Sequence, residues 1–166
     1  MRALGATARA DALVYLTGGA TAVLLGWRDT TIDVDIAAVV PESDELLRAL
    51  PRLKDELHVN VELASPADFI PVPAGWEDRS LFIGREGRLS YYNLDLYSQA
   101  LAKLERAHTQ DLEDVEAMLE RGLVEPERAL RLYDEIEPLL YRFPAVDAAS
   151  FRRRVEQAFL RTEETE

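Results

Sequence analysis

The chain is predicted to fold as an α/β (α+β) protein, a mixed sheet flanked by helices and followed by an α-helical C-terminal region. Three observations lead there. Short β-rich runs alternate with helical segments as far as Asn93, whereas everything after it carries helical periodicity. The length of 166 residues is about one domain by the usual ~100–200 residues per domain. With 48% hydrophobic and 30% charged residues, the chain has enough apolar surface for a packed core.

The elements can be justified in order. Arg2–Asp11 favours a weak helix, and Leu13-Val14-Tyr15-Leu16 is a β-rich run that Thr17-Gly18-Gly19 turns sharply. Ala20–Leu25 suits a short helix closed by Gly26. Ile32–Val40 is the clearest strand, with Ile32, Val34, Ile36, Ala38 and Val40 on one face and Asp33, Asp35, Ala37 and Val39 on the other. Pro41 ends it, Ser43 or Asp44 caps a helix to about Leu57, and His58–Ala64 alternates again as a strand with Asn60 and Glu62 on one face. Pro66, Pro71, Pro73 and Gly75 make 65–78 a loop. Ser80–Gly84 and Arg88–Asn93 pair as a hairpin across Arg85-Glu86-Gly87. Helices are expected over Leu94–Ala107, Asp111–Arg121, Pro126–Glu137, where proline suits the first turn, and Asp147–Arg161. The organisation expected is an α/β core over 1–93, a helical region over 94–162 packed on it, and an acidic tail over 163–166, in a single compact unit.

Composition narrows the chemistry. A net charge of −12 repels polyanions, which disfavours broad nucleic-acid binding. The absence of cysteine excludes disulfides, thiol catalysis and Cys-ligated zinc, and two histidines cannot build a three-His site, so oxygen must hold any metal. The apolar stretch Ala12–Gly26 is too short for a spanning helix, which needs about 20 residues, and lacks a cleavage site. No membrane association and a cytoplasmic location are therefore the expectation.

One constellation carries chemistry: Leu16-Thr17-Gly18-Gly19, then Asp33-Val34-Asp35-Ile36, then Glu62 on a later strand. Two acids at i and i+2 of a strand point the same way and can share a hard cation such as Mg²⁺ (or Mn²⁺), whose oxygen ligands include few carboxylates. Glycines at a strand-to-helix turn let main chain approach phosphate oxygens. Asp33, Asp35 and Glu62 are thus the candidate metal ligands and catalytic acids, with Gly18 and Gly19 at the nucleotide. The third carboxylate has competitors in Asp55, Glu56 and Asp68, and Asn60 shares the face of Glu62.

From Val14 to Glu62 these residues resemble the polymerase-beta-like nucleotidyltransferase superfamily, which implies a nucleotidyltransferase-like mixed sheet, Mg²⁺ (or Mn²⁺) as cofactor and a nucleoside triphosphate as substrate. A second stretch, Gly26-Trp27-Arg28, Thr31-Ile32-Asp33-Val34-Asp35, Leu101-Ala102-Lys103-Leu104 and Asp111-Leu112-Glu113-Asp114, is similar to the AbiEii-type group of toxin–antitoxin nucleotidyltransferases. That resemblance implies roles for Arg28, Thr31 and Lys103 at the triphosphate and for Asp111 and Asp114 near the reaction centre. It also implies an acceptor such as a tRNA end, a protein hydroxyl or a small molecule, and an antitoxin partner.

Structural alternatives stand beside these roles. Asp111 could be an N-cap with Asp114 as its third-position acid, Lys103 an exposed helix lysine, and Arg28 a solvated loop charge. Arg152-Arg153-Arg154 reads as the wet face of a helix whose core side is Phe151, Val155 and Phe159, or as a small basic patch for RNA. The functional alternative to an enzyme is a non-catalytic nucleotide-sensing or toxin–antitoxin interaction module.

Overall fold

The structure, a computed structural model, describes residues 1–160, so the acidic tail expected over 163–166 lies outside the described residues. In chain order the elements are α1 (Arg2–Gly5), β1 (Ala12–Thr17), α2 (Gly19–Leu24), β2 (Asp33–Val40), α3 (Asp44–Leu57), β3 (Asn60–Leu63), α4 (Trp76–Arg79), β4 (Leu81–Glu86), β5 (Leu89–Asn93), α5 (Leu96–Arg106), α6 (Thr109–Glu120), α7 (Pro126–Ile136) and α8 (Ala148–Leu160). Short 3₁₀ turns occupy Pro66–Asp68 and Glu137–Arg142. The α/β class expected from the sequence is the one found. Among the described residues no helix is long and apolar enough to cross a membrane.

The chain divides into two compact units, Met1–Ser65 with Arg79–Leu94, and Pro66–Asp78 with Asp95–Glu166. The first holds a five-stranded mixed sheet of order β3-β2-β1-β5-β4. β1 runs antiparallel to β2 and parallel to β5, β2 runs parallel to β3, and β4 and β5 form the expected hairpin. One face of the sheet is packed by helices. Ala12, Val14 and Leu16 alternate inward from β1, and Leu46, Leu50 and Leu53 form an i, i+4, i+7 stripe on α3 that meets them, together with Leu4, Ile36, Leu89 and Tyr91. Burying each leucine of that stripe stabilises the unit by about 1.5–3 kcal/mol. Ser43 is the cap of α3, its Oγ accepting from Leu46 N at 3.4 Å.

Two expectations change here. The first helix is a single turn, Arg2–Gly5, closed by an i to i+3 bond in which the Thr7 N–H donates to Leu4 O at 3.0 Å, with the Thr7 hydroxyl donating to the same oxygen at 2.7 Å. The alternation along β2 is also interrupted. Tyr15 pairs with Ala38 while Leu16 pairs with Ile36, so Ala37 is an extra residue on β2. Past this bulge the faces exchange, and Val39, expected beside the aspartates, joins Val34 and Ile36 against the helices. The aspartate half of the strand keeps the predicted parity.

The second unit is built around α5. Every residue from Leu96 to Leu104 is buried, as expected of a helix packed all round, and α6, α7, α8 and the Pro66–Asp68 turn lie against it. The segment expected as a plain loop thus contains the 3₁₀ turn and most of α4, and it belongs to this unit. α7 begins with Pro126 as predicted. Tyr133 of α7 and Phe151 of α8 meet edge to face, with ring centroids 5.0 Å apart.

Candidate functional site

The open face of the first unit's sheet carries the predicted acids. Thr17 is paired with Asp35 across β1 and β2, Asp35 with Glu62 across β2 and β3, and Asp33 with Asn60. Because directly paired residues share a face, Thr17, Asp33, Asp35, Asn60 and Glu62 stand together on the side away from the helices. The parallel pairing of β2 with β3 brings Glu62 to the aspartates. Neither Asp55 nor Glu56 has such a register partner, since both lie on α3, and Asp68 lies in the second unit.

The turn between β1 and α2 is shaped around this row. Gly18 caps α2 at φ 65° and ψ −134°, a conformation that a side chain opposes. A Cβ at Gly18 would also lie 2.5 Å from Asp35 Oδ2, and one at Gly19 would lie 2.5 Å from Thr31 Oγ1 and 3.3 Å from Arg28 Nη1. Both glycines are therefore needed for the chain's own side chains to close in. Thr21, fully buried, donates to Leu16 O at 3.4 Å and fastens α2 to the end of β1. The α2 C-terminus is closed by Gly26, Trp27 and Arg28, whose N–H groups all reach Ala22 O. That closure aims the Arg28 side chain back along α2 toward Gly19.

Thr31 has a local task that its spacing alone did not reveal. Its Oγ1 accepts from Asp33 N at 3.1 Å and donates to Asp33 O at 3.0 Å, a side-chain turn that fixes how the chain enters β2. Asn60 is the residue that sequence reasoning passed over. Its Nδ2 donates to Asp33 Oδ1 at 3.1 Å and to Glu62 Oε1 at 3.0 Å. The only signal for it was its i, i+2 relation to Glu62.

On the same face, Tyr15 stacks on Tyr92 with centroids 5.4 Å apart, and Phe82 meets Tyr92 edge to face at 5.4 Å. These aromatic residues floor the sheet next to Thr17.

Lys103, Asp111 and Asp114 lie in the second unit, where they form one buried cluster. Lys103 Nζ is 2.6 Å from Asp114 Oδ2 and 3.3 Å from Asp111 Oδ1, and Arg106 Nη2 is 2.6 Å from the same Asp111 oxygen. The side chains of Lys103, Asp111 and Asp114 are 8%, 6% and 2% exposed, so the charges are compensated away from water. Arg106 also rests on the Phe69 ring, 5.4 Å from its centroid. The alternatives of an exposed lysine and of an N-cap at Asp111 do not hold. α6 starts two residues earlier, at Thr109, which turns Asp111 and Asp114 inward on successive turns toward α5. Asp111 Oδ2 is buried and has no donor among the described residues.

Phe151, Val155 and Phe159 of α8 are buried while Arg153 is exposed and Arg152 and Arg154 are half-buried, the wet face expected from the sequence, and all three arginines also bond within the second unit. Arg152 pairs with Glu137, with Asp134 at 3.4 Å and with Glu156 at 3.2 Å. The Arg152 hydrogen bonds hold the Glu137 carboxyl below its usual range. Arg153 donates to Ser150 Oγ at 2.7 Å. Arg154 donates to Leu104 O at 3.1 Å and to Glu105 O, capping the last carbonyls of α5.

The open face of the first unit suits a particular kind of cation. Among the described residues no three of the His, Asp and Glu side chains gather closely enough to enclose a metal. Asp33 and Asp35, two carboxylates side by side on one strand, fit instead a hard divalent ion that completes its shell with water and phosphate oxygens.

Over residues 1–158 the chain matches the model of a family described as "Nucleotidyltransferase of unknown function (DUF6036)". No curated protein and no solved structure matches it.

Proposed function

The chain belongs to this nucleotidyltransferase family, and on that premise we propose that it is a metal-dependent enzyme moving a nucleoside monophosphate from a triphosphate to a hydroxyl acceptor. The observation that carries the reading is the register that sets Glu62 opposite Asp35, and Asp35 beside the Thr17-Gly18 turn. Asp33 and Asp35 would hold Mg²⁺ (or Mn²⁺), which when bound neutralises triphosphate charge and lines up attacking and leaving oxygens. Glu62 takes the proton of the acceptor hydroxyl. The acceptor oxygen then bonds to the α-phosphorus while the bond from that phosphorus to the bridging oxygen breaks, and pyrophosphate leaves with the electron pair. Arg28 grips phosphate oxygens through its planar fork, next to the main chain of Gly18 and Gly19, and Thr31 keeps Asp33 in place.

For the second unit the likeness to AbiEii-type enzymes implies Lys103 for triphosphate and Asp111 and Asp114 for the reaction, roles that would require the buried ion pairs among them to open. The same likeness supports a toxin with an antitoxin partner, and a tRNA end, a protein hydroxyl or a small molecule as acceptor; a cytoplasmic location is proposed with it. The test is label transfer from each α-labelled NTP, with Mg²⁺ or Mn²⁺, to cell extract and to the protein itself. Wild type should transfer label, and Asp33→Ala and Asp114→Asn should not. Equal labelling by wild type and Asp33→Ala would remove the site, and thermal stabilisation by NTP without transfer would identify a nucleotide sensor instead.

A further inference from the structure

Asn60 sits between two carboxylates, and its amide can be oriented in only one way. With the carbonyl turned toward them, three acceptors would face one another without a proton, so Nδ2 must point at Asp33 Oδ1 and Glu62 Oε1. The two N–H groups of one amide then commit one oxygen of each acid. Asp33 Oδ2 and Glu62 Oε2 accept no hydrogen bond among the described residues. Two anions on neighbouring strands repel, and without a donor between them they would rotate apart into water.

Building on the nucleotidyltransferase reading, we propose that Asn60 is a positioning residue that holds Asp33 and Glu62 in a fixed relation, so that their remaining oxygens stay turned toward the divalent cation and the acceptor. It touches neither cation nor substrate. Its place is set by the parallel register that pairs Asn60 with Asp33 two residues before Asp35 meets Glu62. An outer amide of this kind typically contributes 10–100-fold to metal affinity or activity.

The experiment is a Mn²⁺ titration of the ¹⁵N-labelled protein followed by paramagnetic broadening of backbone amides, with no nucleotide present. In wild type, broadening should be saturable, reversed by EDTA and centred on the amides of 33–35 and 60–62. Asn60→Ala should need about 10-fold more Mn²⁺ for the same broadening, with an otherwise unchanged spectrum. Asn60→Asp, which keeps the shape and replaces both donors, should leave the fold intact and lower label transfer by about 10-fold. Broadening by Asn60→Ala at wild-type Mn²⁺ concentrations, or wild-type transfer by Asn60→Asp, would overturn the role of Asn60 and leave the metal site standing. Broadening of wild type that is absent from these amides would overturn the metal reading and this inference with it.

Discussion

Asp35 and Gly18 are in such close contact that the carboxylate occupies the space where a side chain on the glycine would begin, 2.5 Å from Asp35 Oδ2. Gly18→Ala must therefore displace Asp35 and also adopt a left-handed φ that alanine disfavours. The strain is of order 1–3 kcal/mol, which lowers the melting temperature by about 2–4 °C per kcal/mol in a chain of this size. Label transfer should fall further than this loss explains. Calorimetry and the transfer assay on one preparation would check both, and a variant with wild-type transfer would show that Asp35 tolerates being moved.

Asp35 is half-buried beside Thr17 and Glu62, and Asp35→Ala leaves the hydrophobic core on the other face of the sheet untouched. Transfer should drop by at least about 100-fold, the equivalent of a few kcal/mol of lost electrostatic stabilisation. Excess Mn²⁺ should not restore it. Single-turnover transfer at several Mn²⁺ concentrations is the measurement.

Lys103→Ala removes the cation between two buried carboxylates. The remaining uncompensated charge should cost about 3–5 kcal/mol, read as a lower midpoint in urea. Lys103→Ala combined with Asp114→Asn should recover part of that loss, since the second change removes the charge left behind. If the single variant is as stable as wild type, the cluster does not hold α5 to α6.

The Tyr133 hydroxyl is pushed up to about 12, chiefly by burial and secondly by the Glu137 charge. A raised value means that the native state prefers the neutral phenol. The benefit is complete below the ordinary value of 10.0 and disappears as pH rises through about 12. Between those limits wild type should lose stability relative to Tyr133→Phe by about 1 kcal/mol per pH unit. Urea midpoints at pH 9, 10 and 11 would show the gap.

Arg154→Ala uncovers the final carbonyls of α5. Two charge-assisted bonds to main chain are lost, and the expected cost is about 1.5–3 kcal/mol. Amide exchange near Leu104 and Ala107 should accelerate more than exchange in β1, because the effect is local to the helix end.

Much of the fold was legible because its signals are local. Alternation marked β2, Ser43 marked the start of α3, and Pro126 marked the start of α7. The Asp33-Asp35 pair and its glycine turn were legible for the same reason. What the sequence hid depends on pairing across the chain. Nothing in Ile36-Ala37-Ala38-Val39 announces that Ala37 is unpaired, since every residue in that run is apolar and either face would accept it. The bond from Asn60 to Asp33 joins residues 27 apart and exists only because β2 and β3 are parallel. The burial of Lys103 was hidden too, and an exposed helix lysine stood as an alternative, because helical spacing does not say how many sides of α5 are covered.

The extra residue at Ala37 acts on β2 like a phase shift in a wave. Upstream of it odd-numbered positions face the open side, and downstream the even-numbered ones do, as Ala38 opposite Tyr15 shows. The two halves of the strand can therefore be altered independently by substitution, but not by insertion or deletion. Removing Ala37 would bring the halves back into step, and one half would have to surrender its side of the sheet, either Val39 from the core or Asp33 and Asp35 from the open face.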